Sequence, residues 1–131
     1  MQTSYFGNVR NLSEASIKVS IARGEPKFFD GFSYKKLAPS WDLVKIKDEN
    51  IYTKRYKKEV LDRLDPFQVY KDLGENAVLL CWEKPGDFCH RRLVAEWLEE
   101  NLGISVPEFK TEKQKQAEER KKIEESQLKI F

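Results

Sequence analysis

The sequence predicts an α/β fold, a mostly parallel sheet flanked by helices, followed by a charged C-terminal helical tail. Three observations predict it. Ala77-Val78-Leu79-Leu80-Cys81-Trp82 is a continuous apolar run between turn signals, the pattern of a strand buried on both faces at the centre of a parallel sheet. Helical patterns stand on both sides of that run in the chain. Residues 110–125 are nearly all Lys, Arg, Glu and Gln, which form helix readily but cannot pack along their length.

The elements follow in order. Thr3 to Phe6 is short and apolar, closed by Gly7-Asn8, and reads as a first strand. Ile17 to Ala22 alternates apolar and polar residues, the period of a strand with one buried face, and Arg23-Gly24-Glu25-Pro26 ends it. Residues 27–40 hold Phe28, Phe29, Phe32 and Tyr34 without a clean period, so a long loop packed over the body is expected. Thr53 to Leu64 reads as a helix. Asp65-Pro66 is an N-cap followed by proline in the first turn of a short helix, which Gly74 stops. After the apolar strand, residues 83–88 form a turn around Gly86, and a helix runs from about Phe88 to Leu102 before Gly103. Ile104-Ser105-Val106 is extended, and Pro107 blocks its continuation. Residues 1–109 are thus expected to form a single α/β domain and residues 110–131 the tail, with apolar character returning at Leu128, Ile130 and Phe131.

A chain of 131 residues suits one core, and 40% apolar residues are enough to fill it. A net charge of +2 does not by itself argue for nucleic acid. No apolar run is long enough to span a membrane, and the first residues lack a secretory signal, so a cytoplasmic location and no membrane partner are expected. The two cysteines flank one short turn, which is not a disulfide framework and fits a reducing compartment.

Chemistry concentrates in residues 79–98. A buried strand ends in a turn that feeds a helix, and ligands of open α/β sheets bind beyond the carboxyl ends of the strands. The first helical turn offers free N–H groups and a positive dipole end. It carries Cys89, His90 and Arg91. Helical spacing aligns Cys89 with Leu93 and Trp97, and His90 with Val94 and Leu98, so both begin on the buried side. Arg91 is expected to point into the site and Arg92 away from it, paired with Glu96. A buried-side arginine needs an anion: Glu83 across the turn, or a bound phosphate or carboxylate.

Cys89 is a candidate nucleophile because a helix N-terminus and a neighbouring histidine favour its thiolate. His90, the sole histidine, is the candidate imidazole acid–base. The bland readings are Cys81 and Cys89 as small core residues, His90 as a structural hydrogen-bonder, and Glu83–Arg91 as a structural ion pair. The spacing of Cys81, Cys89 and His90 lacks the paired pattern of zinc sites, so no metal is expected, and without a glycine-rich phosphate loop no cofactor is either.

The stretch Leu80-Cys81-Trp82-Glu83 to Phe88-Cys89-His90-Arg91 resembles the bacterial and phage domain of unknown function 488 family, whose signature is CxE at a strand end and CHR opening the next helix. Thr3-Ser4-Tyr5-Phe6, residues 20–26, Leu37-Ala38-Pro39, the region of Tyr52 and Tyr56, and Val106-Pro107-Glu108 are similar to one branch of it. The resemblance spans about residues 3–109. It implies a compact three-layer α/β fold and a shared pocket lined by Tyr5, Arg23, Tyr34, Glu83, Cys89, His90 and Arg91, with Glu108 nearby. An Asp-Val-Arg motif common in other branches is absent, and Arg23 in Ser20-Ile21-Ala22-Arg23 stands in its place.

These features define the expected site. Cys89, His90 and Glu83 are the catalytic candidates, and Arg91, Arg23, Tyr5 and Tyr34 the ligand-binding ones. The leading function is an anion-binding pocket directed at a nucleotide, phosphate or nucleic acid, because arginines and tyrosines together suit charged groups and base faces. One alternative is a protein-interaction module using the aromatic loop and tail, with a protein partner or a homodimer. The other is a thiol-dependent enzyme with Cys89 as nucleophile.

Overall fold

The computed structural model describes residues 1–84 and 87–130, with side chains through residue 127. Gly86 and Phe131, and the side chains of Leu128 and Ile130, lie outside the described residues, and with them the expected turn glycine and apolar terminus.

The sheet has four parallel strands in the order β1-β4-β2-β3: β1 Gln2–Tyr5, β2 Ile17–Ser20, β3 Phe32–Ser33 and β4 Ala77–Cys81. The apolar run is indeed central, pairing with β1 on one side and β2 on the other, and every residue of β4 is buried. Its side chains alternate between two cores. Ala77 and Leu79 join Val19, Tyr56, Val69, Val94 and Leu98 on the face covered by α2 Glu49–Glu59, α3 Pro66–Leu73 and α4 His90–Leu102. Val78 and Leu80 join Phe6 and Ala22 on the other face, against Val9, Leu12 and Phe29. A 3-10 helix, Phe6–Asn11, and the aromatic loop cover that second face.

Several boundaries differ from expectation for local reasons. Strand β2 stops at Ser20, and its side chain accepts a hydrogen bond from the Ala22 amide, turning the chain. The 27–40 loop contains the short edge strand β3, paired in register with Val19 and Ser20. A single-turn helix, α1 Trp41–Val44, is capped by Ser40. Helix α2 begins four residues earlier than its apolar spacing suggested, because Asp48 accepts from the Asn50 and Ile51 amides as N-cap. Helix α3 starts at Asp65-Pro66 and stops at Gly74, whose φ of 85° favours glycine. Helix α4 starts at His90 with Cys89 as N-cap, and Gly103 ends it in the left-handed region. Residues 104–109 run beside β1: the Thr3 amide donates to the Pro107 carbonyl, and the Phe109 amide to that of Thr3. Helix α5, Glu112–Ile130, carries the charged tail, and its residues 115–127 are exposed. Among the described residues no helix is long and apolar enough to cross a membrane.

Candidate functional site

The parallel order puts all carboxyl ends of the strands on one edge, and the N-terminus of α4 meets that edge beside β4 and β2. A cavity of about 310 Å³ opens there. Arg23, Glu83, Cys89 and His90 all line it.

His90 is buried, and its Nε2 lies 2.7 Å from the Ile21 carbonyl oxygen. A carbonyl only accepts, so Nε2 carries the proton and Nδ1 presents its lone pair. Nδ1 lies 3.8 Å from Cys89 Sγ. Burial pushes the His90 pKa down to about 4, helped by the Arg91 charge and opposed by the Ile21 hydrogen bond. The ring is therefore neutral at pH 7.

The cysteines correct an expectation. The sequence predicts separate thiols with Cys81 a small core residue; both cysteines are indeed buried in the core, and it is their pairing that differs. Cys81 ends β4 and Cys89 caps α4 across one short turn, and the structure joins them as a disulfide with Cα atoms 7.3 Å apart. Strand end and helix start converge because α4 packs back onto the strand it follows. The two sulfurs and a ring nitrogen of His90 all lie within 4.8 Å of one another. Sequence spacing speaks against a metal; the fold nonetheless brings together three residues that could hold one if the disulfide were reduced.

Arg91 is 1% exposed. Its Nε and Nη2 donate to the two carboxylate oxygens of Glu108 at 3.0 and 2.9 Å, while Nη1 donates to Cys81 Sγ at 3.1 Å and the Glu83 carbonyl at 2.7 Å. The charge partner is thus Glu108, and Glu83 contributes backbone only. Arg91 is not among the cavity-lining residues. Arg92 also departs from expectation. Instead of pairing with Glu96 it donates to Thr3 Oγ1 and the Val106 carbonyl, both at 2.9 Å, because residues 104–109 offer unpaired acceptors along the edge of β1.

Arg23 is anchored by carbonyls: Nε donates to Pro39 at 2.7 Å and Nη2 to Ala38 at 3.2 Å. Among the described residues no carboxylate pairs with it. Tyr5 ends β1 opposite Cys81, with its ring over Gly7. Tyr34 donates to Asp72 at 2.6 Å, on α3. Neither tyrosine lines the cavity.

Sequence reasoning missed three aromatic walls, Tyr52, Trp82 and Phe88. Tyr52 and Phe88 meet edge to face at 5.3 Å, and Trp82 Nε1 donates to the Gly24 carbonyl at 2.7 Å. Burial and the Glu83 charge raise the Tyr52 pKa, so its hydroxyl stays protonated. Starting α2 from the Asp48 cap would have put Tyr52 and Tyr56 on one buried face, four residues apart.

A strand-end cavity floored by a cysteine–histidine pair defines an α/β protein with a candidate small-molecule site. The chain belongs to the DUF488-N3a family, described as the active DUF488-N3 subclade, whose model matches residues 10–102. No curated protein and no solved structure matches it.

Proposed function

We propose that the cavity binds a small anionic ligand with an aromatic face, a nucleotide or the end of a nucleic acid, and that Arg23 is its anion contact. The carrying observation is Arg23 itself: a guanidinium fixed by two carbonyls, with no carboxylate partner among the described residues, lining a cavity. An arginine so held keeps N–H groups for a phosphate or carboxylate. Tyr52, Trp82 and Phe88 supply π-faces for a base. The volume, about 310 Å³, suits a small molecule. Arg91, occupied by Glu108, supports the helix start instead.

The test is a thermal-shift screen of wild type and Arg23→Ala against mononucleotides, short single- and double-stranded oligonucleotides and inorganic phosphate. A ligand at a hundred times its Kd adds about 2.7 kcal/mol, several degrees for a domain of this size. The shift should vanish in Arg23→Ala. Absence of any shift in folded wild type would overturn the reading.

A second reading, thiol-dependent chemistry at Cys89, is favoured by the Nδ1 lone pair of His90 facing Sγ at 3.8 Å. In the reduced protein that nitrogen can accept a hydrogen bond from the thiol and orient it. Cys89 should then react with iodoacetamide well below pH 8, and an ordinary profile near the free-thiol pKa would count against it.

A further inference from the structure

We propose that the reduced protein binds one zinc-class divalent ion through Cys81 Sγ, Cys89 Sγ and His90 Nδ1, with the fourth position open to the cavity, and that the Cys81–Cys89 disulfide is the oxidised, metal-free form of this site. The ion goes beyond the nucleotide reading and does not depend on it.

Four observations carry this. The three donor atoms already lie within 4.8 Å of one another, and all three residues are buried. Thiolate and imidazole donors together suit zinc and its neighbours rather than magnesium or calcium. Metal–sulfur and metal–nitrogen bonds of about 2.3 and 2.0 Å in a tetrahedral site set a sulfur–nitrogen edge of about 3.5 Å. The observed Cys89 Sγ to His90 Nδ1 distance is 3.8 Å, so that edge is nearly in place and only the Cys81 sulfur must turn aside. The Cα separation of 7.3 Å exceeds the usual disulfide range, about 4.4–6.8 Å, so the two backbones already stand further apart than a disulfide needs.

The surroundings fit as well. His90 Nε2–H donates to the Ile21 carbonyl, the outer hydrogen bond that orients a metal-bound imidazole and leaves Nδ1 as the donor atom. Arg91 Nη1 donates to Cys81 Sγ at 3.1 Å, which favours a thiolate there. Charge balances too. Two thiolates neutralise a divalent ion, Glu108 neutralises Arg91, and His90 adds none, so the loaded cluster carries no net charge. All three ligating residues line the cavity, which gives a water or a ligand access to the open position.

Oxidation empties the site with balanced chemistry. A peroxide takes two electrons from the two thiolates, the S–S bond forms, the O–O bond breaks, two solvent protons complete two waters, and the ion leaves. A metal-bound thiolate is not a free nucleophile, so this proposal and thiol catalysis at Cys89 predict opposite alkylation of the zinc-loaded protein.

The experiment is a titration of the reduced, metal-stripped full-length chain with Zn²⁺ against a coloured chelator, repeated with Co²⁺ as the spectroscopic probe. One equivalent should bind with a Kd below micromolar, with a thiolate-to-cobalt charge-transfer band. Cys81→Ser and Cys89→Ser should each weaken binding by more than the roughly 10- to 100-fold lost when only an orienting partner is removed. The wild type is its own control should a variant not fold: the disulfide form must not bind, and hydrogen peroxide must release one Zn²⁺ per loaded chain. No uptake by a folded reduced chain with two titratable thiols overturns the proposal. So does equal affinity of the reduced and disulfide forms, or undiminished uptake in folded variants.

Discussion

Arg91 and Glu108 form a two-pronged ion pair that ties the start of α4 to the segment running along β1, with side chains 1% and 12% exposed. Thr3 Oγ1 donates to the same carboxylate at 2.6 Å, so strand, helix and returning segment share one anion. Removing one partner strands the other in a poorly solvated site. Glu108→Ala should therefore destabilise the protein by about 3–5 kcal/mol in urea unfolding. The double variant Arg91→Met, Glu108→Leu should lose much less than the sum of the single changes. Strict additivity would show that the pair is not coupled.

His90 makes stability depend on pH. Its folded pKa, about 4, lies below the ordinary 6.5, so between those values the unfolded chain binds the extra proton. The contribution is therefore fully present above pH 6.5 and is lost as pH falls towards 4, amounting to about 3 kcal/mol. The carboxylates titrate in part of the same window, so the measurement is a comparison. Wild type should lose more stability than His90→Gln between pH 7 and 4.5; parallel curves would contradict the assignment.

Ser4 sits on β1 with no exposure, and its hydroxyl has no hydrogen-bond partner among the described residues. An unmet buried hydroxyl costs folding energy that alanine does not pay. Ser4→Ala should raise stability by up to about 1 kcal/mol, read as a higher Tm. A clear loss would mean that the hydroxyl has a partner in solution.

We propose that residues 1–109 fold without the tail. Among the described residues, α5 meets the body through its first turns, as in Asn8 to Gln114 at 3.4 Å, and its residues 115–127 are exposed. A chain ending at Lys110 keeps the Arg91–Glu108 pair and the Phe109 bond to Thr3. Its Tm should stay within a few degrees of the full chain. Loss of cooperative unfolding would assign α5 a structural role.

Much of this protein was legible in one dimension. The apolar run at 77–82 sufficed to place a central parallel strand, because only a strand covered on both faces tolerates it. Asp65-Pro66 and Gly74 bounded α3 for reasons internal to those residues. The cavity position was legible too, since strand end, turn and helix start are contiguous in residues 81–91. Tertiary structure alone decided which groups meet there. The need of Arg91 for an anion could be read, but its partner lies 17 residues on, past a whole helix. Tyr52 reaches the cavity from another element, and Tyr34 is held by Asp72, 38 positions away. Cys81 and Cys89 look like an unremarkable pair eight apart until α4 folds back and brings their sulfurs together beside His90. Local propensity and hydrophobic period are properties of neighbouring residues and survive in the sequence. The pairing of charges, sulfurs and rings depends on distances that exist only once the sheet and its helices have packed.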